Sequence, residues 1–321
     1  MSKKLLINFL LLSCLPMIIL GTVFYANCNK VFFAQTSQEI LNLAQESSEQ
    51  MKAFLERCAD NARDLSQRSV SSMAFLLAEF DDDQATTIKE FRNYLVKHPY
   101  VNQIRLITPK GKEILSTLNP SLNKTKDEAA NKWFIPTTLA EDIYISNSYR
   151  SPDTRTHVLT ITAPVIEKRE KKGFVVLDID ARAITASADK LRIKNSGFAY
   201  IINQTALIVA HPQKEKILTE ALSLSDDPSY DNIISAMISS KRGYGYHKMD
   251  KTPQITFYAP FPALNWAIGI TMPVNEINAG TEAIKLNILF TTGSLLLAAL
   301  LASLILSKRV ITNGMEKKRD K

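Results

Sequence analysis

The sequence predicts an α+β fold in which a long N-terminal helix carries two antiparallel-sheet units, set between two transmembrane helices. Three observations predict it. Two charge-free apolar stretches, Leu5 to Asn29 and Leu286 to Leu306, each exceed the roughly 20 residues a helix needs to cross hydrocarbon. Between Gly21 and Pro99 no glycine or proline interrupts the chain, and apolar residues recur there at helical spacing. From Val101 onward the hydrophobic period changes to alternation, and this sheet-like pattern occurs twice.

The first apolar stretch follows Lys3 and Lys4, as a signal peptide's charged region would. The run is longer than a signal core, and no small-x-small cleavage site follows it. A lipobox at Leu11-Leu12-Ser13-Cys14 is opposed by the mostly apolar residues after Cys14. An uncleaved anchor is expected. Lys308 and Arg309 follow the second stretch, so the basic flanks place both ends in the cytoplasm and residues from about 30 to 283 outside.

The formal net charge is +7. The two flanks hold eight basic and two acidic residues, so most of the excess belongs to membrane topology and not to a nucleic-acid surface. The three cysteines, Cys14, Cys28 and Cys58, give no disulfide framework, and Cys58 is expected in the core.

Ile40, Ala44, Met51, Leu55, Cys58, Ala62, Leu65, Met73, Leu76 and Phe80 form the stripe of one helix reaching about residue 80. Such a helix needs a packed domain or a partner helix along it. A coiled-coil stalk is the simpler alternative to a scaffold helix. Asp81-Asp82-Asp83 ends it, and Thr87-x-x-Glu90 suggests a capping box for a short helix through Leu95. Strands are expected at Val101–Ile107, Glu113–Thr117, Ile143–Ser148, His157–Pro164 and Gly173–Ile179, with Pro109-Lys110-Gly111-Lys112 as a turn. The second unit has a helix at Ala183–Lys194, a hairpin of Gly197–Ile202 and Ala206–Ala210, and a helix at Ile233–Ser240. Its further strands are Gly243–Met249, Gln254–Ala259 and Trp266–Met272.

Several segments, in order, resemble one family. Gly197-Phe198-Ala199-Tyr200-Ile201-Ile202 with Ala210-His211-Pro212, Tyr258-Ala259-Pro260, and Asn265-Trp266-Ala267-Ile268-Gly269-Ile270 look like the membrane-proximal lobe of double Cache sensor domains. Trp133-Phe134, Tyr149, Thr160-Ile161-Thr162-Ala163-Pro164-Val165 and Gly173-Phe174-Val175-Val176-Leu177-Asp178-Ile179 resemble the membrane-distal lobe. The resemblance covers most of residues 30 to 280. It implies two PAS-like lobes hung on one long helix, a sensory role as in chemoreceptors and sensor histidine kinases, a ligand in the distal lobe, and a homodimer.

The implied organisation is a transmembrane helix with cytoplasmic N-terminus at 1–29, the long helix at 30–82, a distal lobe at 83–185 and a proximal lobe at 186–280. A second transmembrane helix at 284–306 and a cytoplasmic tail at 307–321 follow; Ser307-Lys308-Arg309-Val310-Ile311-Thr312 resembles the start of a HAMP linker. Amino-acid-binding members use an Arg-x-Trp-Tyr cluster, a later Tyr and an Asp. Here Trp133, Tyr149 and Asp178 match that pattern. Asn131 stands at the Arg position, Phe134 at the second aromatic and Lys126 at an upstream Tyr. The half that would hold an ammonium survives and the carboxylate half is degraded. The resemblance therefore implies an amine or an altered zwitterion, with Lys126 or Lys132 as substitute cation, because both ends of a buried zwitterion need partners. The plainer alternatives are core packing for Trp133 and Phe134, a strand aromatic for Tyr149 and a turn acid for Asp178. Asp180 suits a helix cap, and His211 and Trp266 suit structural roles.

No metal spacing, P-loop or nucleophile motif is present, so neither enzyme chemistry nor a cofactor is expected. The expected partners are a small-molecule ligand, a second copy, the membrane and a cytoplasmic signalling protein, with no nucleic acid. A non-signalling solute-binding or interaction protein that works through a separate membrane partner is the alternative.

Overall fold

The computed structural model describes residues 3–79, 84–119, 126–189, 196–277, 285–298, 301, 302 and 305; of residues 3–14, 17, 79 and 187–189 it describes the backbone alone. The chain divides into two compact units, Met1–Glu39 with Pro273–Lys321, and Ile40–Met272.

Helix α1 runs Lys3–Gln67 and passes through both. In the first unit α1 lies beside helical residues 285–298, with Gly21 next to Thr292 and Ile288. Among the described residues no helix is long and apolar enough to cross a membrane. The expected first span falls partly, and the expected tail 307–321 wholly, on residues or side chains outside that set. So does the acidic run Asp81-Asp82-Asp83.

In the second unit the expected unbroken helix turns at Arg68 and resumes as α2, Ser69–Glu79. The Ser71 hydroxyl donates to the Leu65 carbonyl (2.6 Å), and the Ser71 N–H donates to the Arg68 carbonyl. Such local serine bonds compete with the helical ladder. Arg68 bonds Asp64 on α1 and Glu90 on α3, Ala85–Lys97. The capping box expected at Thr87 is absent. Helix α3 begins two residues earlier, so Thr87 lies inside it and donates to the Val70 carbonyl, while Glu90 is spent on Arg68.

The distal sheet contains β1 (Val101–Ile107), β2 (Glu113–Ser116), β3 (Tyr144–Ile145), β4 (Tyr149–Arg150), β5 (His157–Glu167) and β6 (Glu170–Asp180). Its order is β2-β1-β6-β5-β3, all antiparallel, with β4 also on β5. The expected strand 143–148 is reduced to Tyr144–Ile145, with β4 following just beyond it, and no helix was expected from the sequence at α4 (Phe134–Leu139). Strand alternation gives the sheet two faces. Ile104, Leu106, Leu159, Ile161, Val175, Leu177 and Ile179 share one face and are buried. Helix α2 packs on β5 and β6, and α3 on β1. The other face carries Gln103, Arg105, Asp178 and Thr160, then Ile107, Phe174 and Val176 under Trp133 and Phe134.

Helix α5 (Ala181–Asp189) leads to the proximal lobe, and its start is capped by Asp180, which accepts from the Arg182 N–H. That lobe has the order β8-β7-β11-β10-β9. The strands are β7 (Phe198–Ile202), β8 (Ile208–Ala210), β9 (Gly243–Met249), β10 (Thr252–Phe261) and β11 (Trp266–Pro273). Helix α6 (Pro228–Ile238), capped by Asp227, lays Tyr230, Ile233, Ile234 and Met237 against Tyr200 and Ile202. Tyr230 donates to the Tyr200 hydroxyl (2.9 Å), which satisfies a buried polar group. Trp266 donates to Asn147 of the distal lobe across 3.4 Å, which gives it the structural role expected.

Gly173 marks the tightest helix–sheet approach, since a Cβ there would overlap the Phe75 ring and the Ile107 carbonyl. The Gly173→Ala variant is expected to lose about 1–3 kcal/mol of stability, seen as a lower urea midpoint with an unchanged slope.

Candidate functional site

The polar face of the distal sheet is built around one buried cation. Arg105 lies mid-strand on β1, 2% exposed, where neighbouring β6 offers Asp178. Its Nη2 donates to both Asp178 oxygens at 2.8 and 3.0 Å. Its Nη1 lies 3.2 Å from Glu128, and its guanidinium stacks 5.2 Å from the Trp133 ring centre. Burial opposes the charge of Arg105, but Asp178 and Glu128 outweigh it and hold the pKa above its usual value. Asp178 also accepts from Thr160 (2.8 Å), whose hydroxyl bonds Tyr149 (2.7 Å). Burial, with Asp178 adding, pushes the Tyr149 phenol up to about 12.

Glu128 arrives on a loop fixed by the β1–β2 turn. Its N–H donates to the Gly111 carbonyl, and Gly111 has φ +89° with Ala129 too close for any side chain. Lys126 pairs with Glu128 (3.1 Å) and Asp153 (2.8 Å), and Asn131 donates to Glu128 from the other side. Burial opposes the Lys126 charge, but these carboxylates outweigh it and raise its pKa.

Glu113 was not foreseen. A bulge between Leu106 and Ile107 sets it opposite Ile107 and turns it toward the polar face. Burial pushes its pKa up to about 7; Arg105 opposes this, and Glu128 and Asp153 add to it. Among the described residues Glu113 Oε2, Gln103 Oε1 and Arg105 Nε have no hydrogen-bond partner. Gln103 and Glu113 line a cleft of about 650 Å³ with Ser116, Asn119, Lys126 and Asp153.

The residues expected from the sequence separate into three places. Lys126 lines this first cleft. Asn131, Lys132, Trp133 and Tyr149 line a second, of about 610 Å³, whose far wall is Asn203, Thr205 and Leu207 of the proximal lobe. Asp178 and Phe134 are buried, Asp178 in the ion pair and Phe134 against Trp133. Glu128 joins the two clefts, bonded by Lys126 of one and Asn131 of the other. The sequence signal for Arg105 was available: Val101–Ile107 is apolar on one face, so a cation two residues from Gln103 has to lie on the other. Glu113 and Glu128 gave none, because a bulge and a glycine turn place them.

One lobe thus presents a polar sheet face roofed by aromatics, and the second fills its sheet face with its own core. A family profile for the Cache domain matches residues 30–281, and the chain belongs to that family.

Its relatives include the methyl-accepting chemotaxis protein McpA of Bacillus subtilis, 20% identical over 98% of this chain and 45% of that one. PctB of Pseudomonas aeruginosa is 23% identical over 48% of this chain and 24% of its own. The chain spans about half the length of the chemotaxis proteins it matches along its whole extent. The PctB ligand-binding domain in complex with L-Arg is similar in fold, with TM-score 0.58 and 16% identity over 76% of this chain and 97% of that one. The Pseudomonas fluorescens chemoreceptor CtaA domain with L-isoleucine gives TM-score 0.59 and 12% identity over 78% and 97%.

Two outcomes follow from the buried charges. Arg105→Met strands Asp178 and Glu128 and is expected to cost about 3–5 kcal/mol in chemical denaturation. Glu113→Gln acts through pH. The folded state holds this proton to about 7, above the ordinary 4.5, so Glu113 lowers stability as pH rises between those values and costs most above 7. The variant is expected to be more stable than the parent at pH 8, by about 3 kcal/mol, with the difference vanishing below about pH 4.5.

Proposed function

We propose that this chain is an extracytoplasmic small-molecule sensor that binds an amine or amino acid in its distal lobe and passes the signal across a membrane. The observation that carries this reading is the charge balance of the distal site. Asp178, Glu128, Asp153 and Glu113 face Arg105 and Lys126, so the cluster is acid-rich, and Glu113 and Gln103, which line a cleft large enough for a metabolite, each keep a buried oxygen without a partner. An ammonium group neutralises the excess and supplies the missing donors.

The ligand-binding residues in this reading are Trp133, Phe134, Tyr149, Asp178, Asn131, Lys126 and Lys132, with Arg105, Glu113 and Gln103 added. Ligand access to Asp178 would require Arg105 to yield, so the ion pair would take a second arrangement when ligand binds. That gives a two-state element on which differential affinity acts, with coupling of about 1–3 kcal/mol. The amino acids bound in the PctB and CtaA domains support the ligand class. The apolar stretches 5–29 and 286–306 would be the spans, with both ends cytoplasmic, residues 40–80 the dimer contact, and a chemotaxis or kinase protein the partner inside. Membership of the Cache family and the chemotaxis relatives support the signalling role.

The test is a thermal-shift screen of the chain with amines, amino acids and small carboxylates. A ligand at 100 times its Kd is expected to add about 2.7 kcal/mol of stability, a rise of several degrees. The rise is expected to vanish in Asp178→Asn and Glu113→Gln variants that remain folded. A hit that survives both, or hits confined to carboxylates, would remove the distal ammonium site.

A further inference from the structure

A third cleft, of about 490 Å³, opens between the lobes; it shares only Arg150 with the second cleft and differs from the first in its charge. Its distal wall is Arg150, Arg155 and His157, its floor is Asp180 and Arg182 at the start of α5, and its proximal wall is His211 and Lys214. Asp180 is the one carboxylate among the described lining residues, and Arg182 already occupies it, with Nε–O distances of 3.0 and 3.1 Å and Nη2 at 2.5 Å. Arg150 donates only a long bond, 3.3 Å, to the Arg155 carbonyl. No carboxylate is paired with Arg150, Arg155 or Lys214 among the described residues. The cleft is therefore a concave surface with three uncompensated cations.

A second, independent feature lies in its wall. His211 is 7% exposed and accepts the Gln213 N–H at Nδ1 (3.0 Å). The proton of the neutral ring is then on Nε2, and that N–H has no partner. Burying a donor unsatisfied costs free energy, so an acceptor belongs opposite it. Three cations and one fixed N–H donor call for an oxygen acceptor that carries negative charge.

We infer that the interlobe cleft is an oxyanion site, in which a phosphate or carboxylate accepts from His211 Nε2 and is held by Arg150, Arg155 and Lys214. Guanidinium forks suit both anions, since each presents paired oxygens. Because its walls come from both lobes, a bound anion would tie them together through charge, in addition to the Trp266–Asn147 bond.

The test is calorimetric titration of the full 321-residue chain in detergent micelles with inorganic phosphate and, separately, succinate, at fixed ionic strength and pH 7.5. Saturable binding of either is expected, and the tighter of the two names the anion. The exposed pair Arg150→Ala/Arg155→Ala is expected to weaken it at least tenfold without unfolding the protein, whereas Lys110→Ala, which removes a surface charge elsewhere, leaves it unchanged. His157 supplies a spectroscopic readout. Burial and the nearby Arg150 hold its pKa below the usual value, and a bound anion is expected to raise it in an NMR titration. Heats no larger than those of chloride at the same ionic strength, or equal affinity in the double variant, would overturn the site. The distal amine site is read separately, by the thermal-shift screen with the Asp178→Asn and Glu113→Gln variants.

Discussion

The distal lobe is organised by the need to keep the Arg105 charge inside a sheet. A guanidinium with 2% exposure is tolerable only if carboxylates surround it, and each carboxylate then needs donors of its own. Asp178 comes from the adjacent strand and takes Thr160 as its further donor. Glu128 comes from a loop and takes Lys126 and Asn131. Thr160 in turn holds the Tyr149 hydroxyl, and Trp133 covers the guanidinium face. The network thus fixes two loops, a short strand and an aromatic roof from one strand position.

The two faces of the distal sheet divide the work. The helix face is continuous aliphatic surface, and its burial under α2 and α3 stabilises that lobe by removing apolar area from water. The opposite face gives up part of that burial for charge. It retains unpartnered oxygens on Glu113 and Gln103 beside open volume, a combination that native interiors rarely keep without a use. The proximal lobe resolves the same face differently. Tyr200, Tyr230 and Met237 fill it, and its hydroxyls satisfy one another, from Tyr230 to Tyr200 and from His247 through Thr256 to Thr271.

The same contrast extends to the surface between the lobes. There the cations are exposed and held by no carboxylate except Asp180, so their orientation is set by strand and helix starts and not by a salt-bridge network. Acid-rich and base-rich clefts therefore lie in one compact unit without neutralising each other, because the distal acids are already committed to Arg105 and Lys126.

The sequence by itself determined the architecture. A gap of glycine and proline from Gly21 to Pro99 and a switch to period two at Val101 are local signals, and local propensity plus alternation suffices to place helices and strands. It also determined the buried character of Cys58, whose thiol burial pushes up to about 12, and the capping role of Asp180. The break at Arg68 was hidden because serine side-chain bonds and a partner on α3 decide it. Trp133, Tyr149 and Asp178 stood out in the sequence, and the structure gathers them around Arg105 and Thr160. What those residues touch was not legible there. That Asp178 is bound to Arg105 depends on strand register, that Glu113 faces the cleft depends on a bulge, and that His211 keeps an unpartnered N–H depends on one backbone bond. Register, bulge and loop closure are set by packing across long sequence separations, and only the tertiary structure decides them.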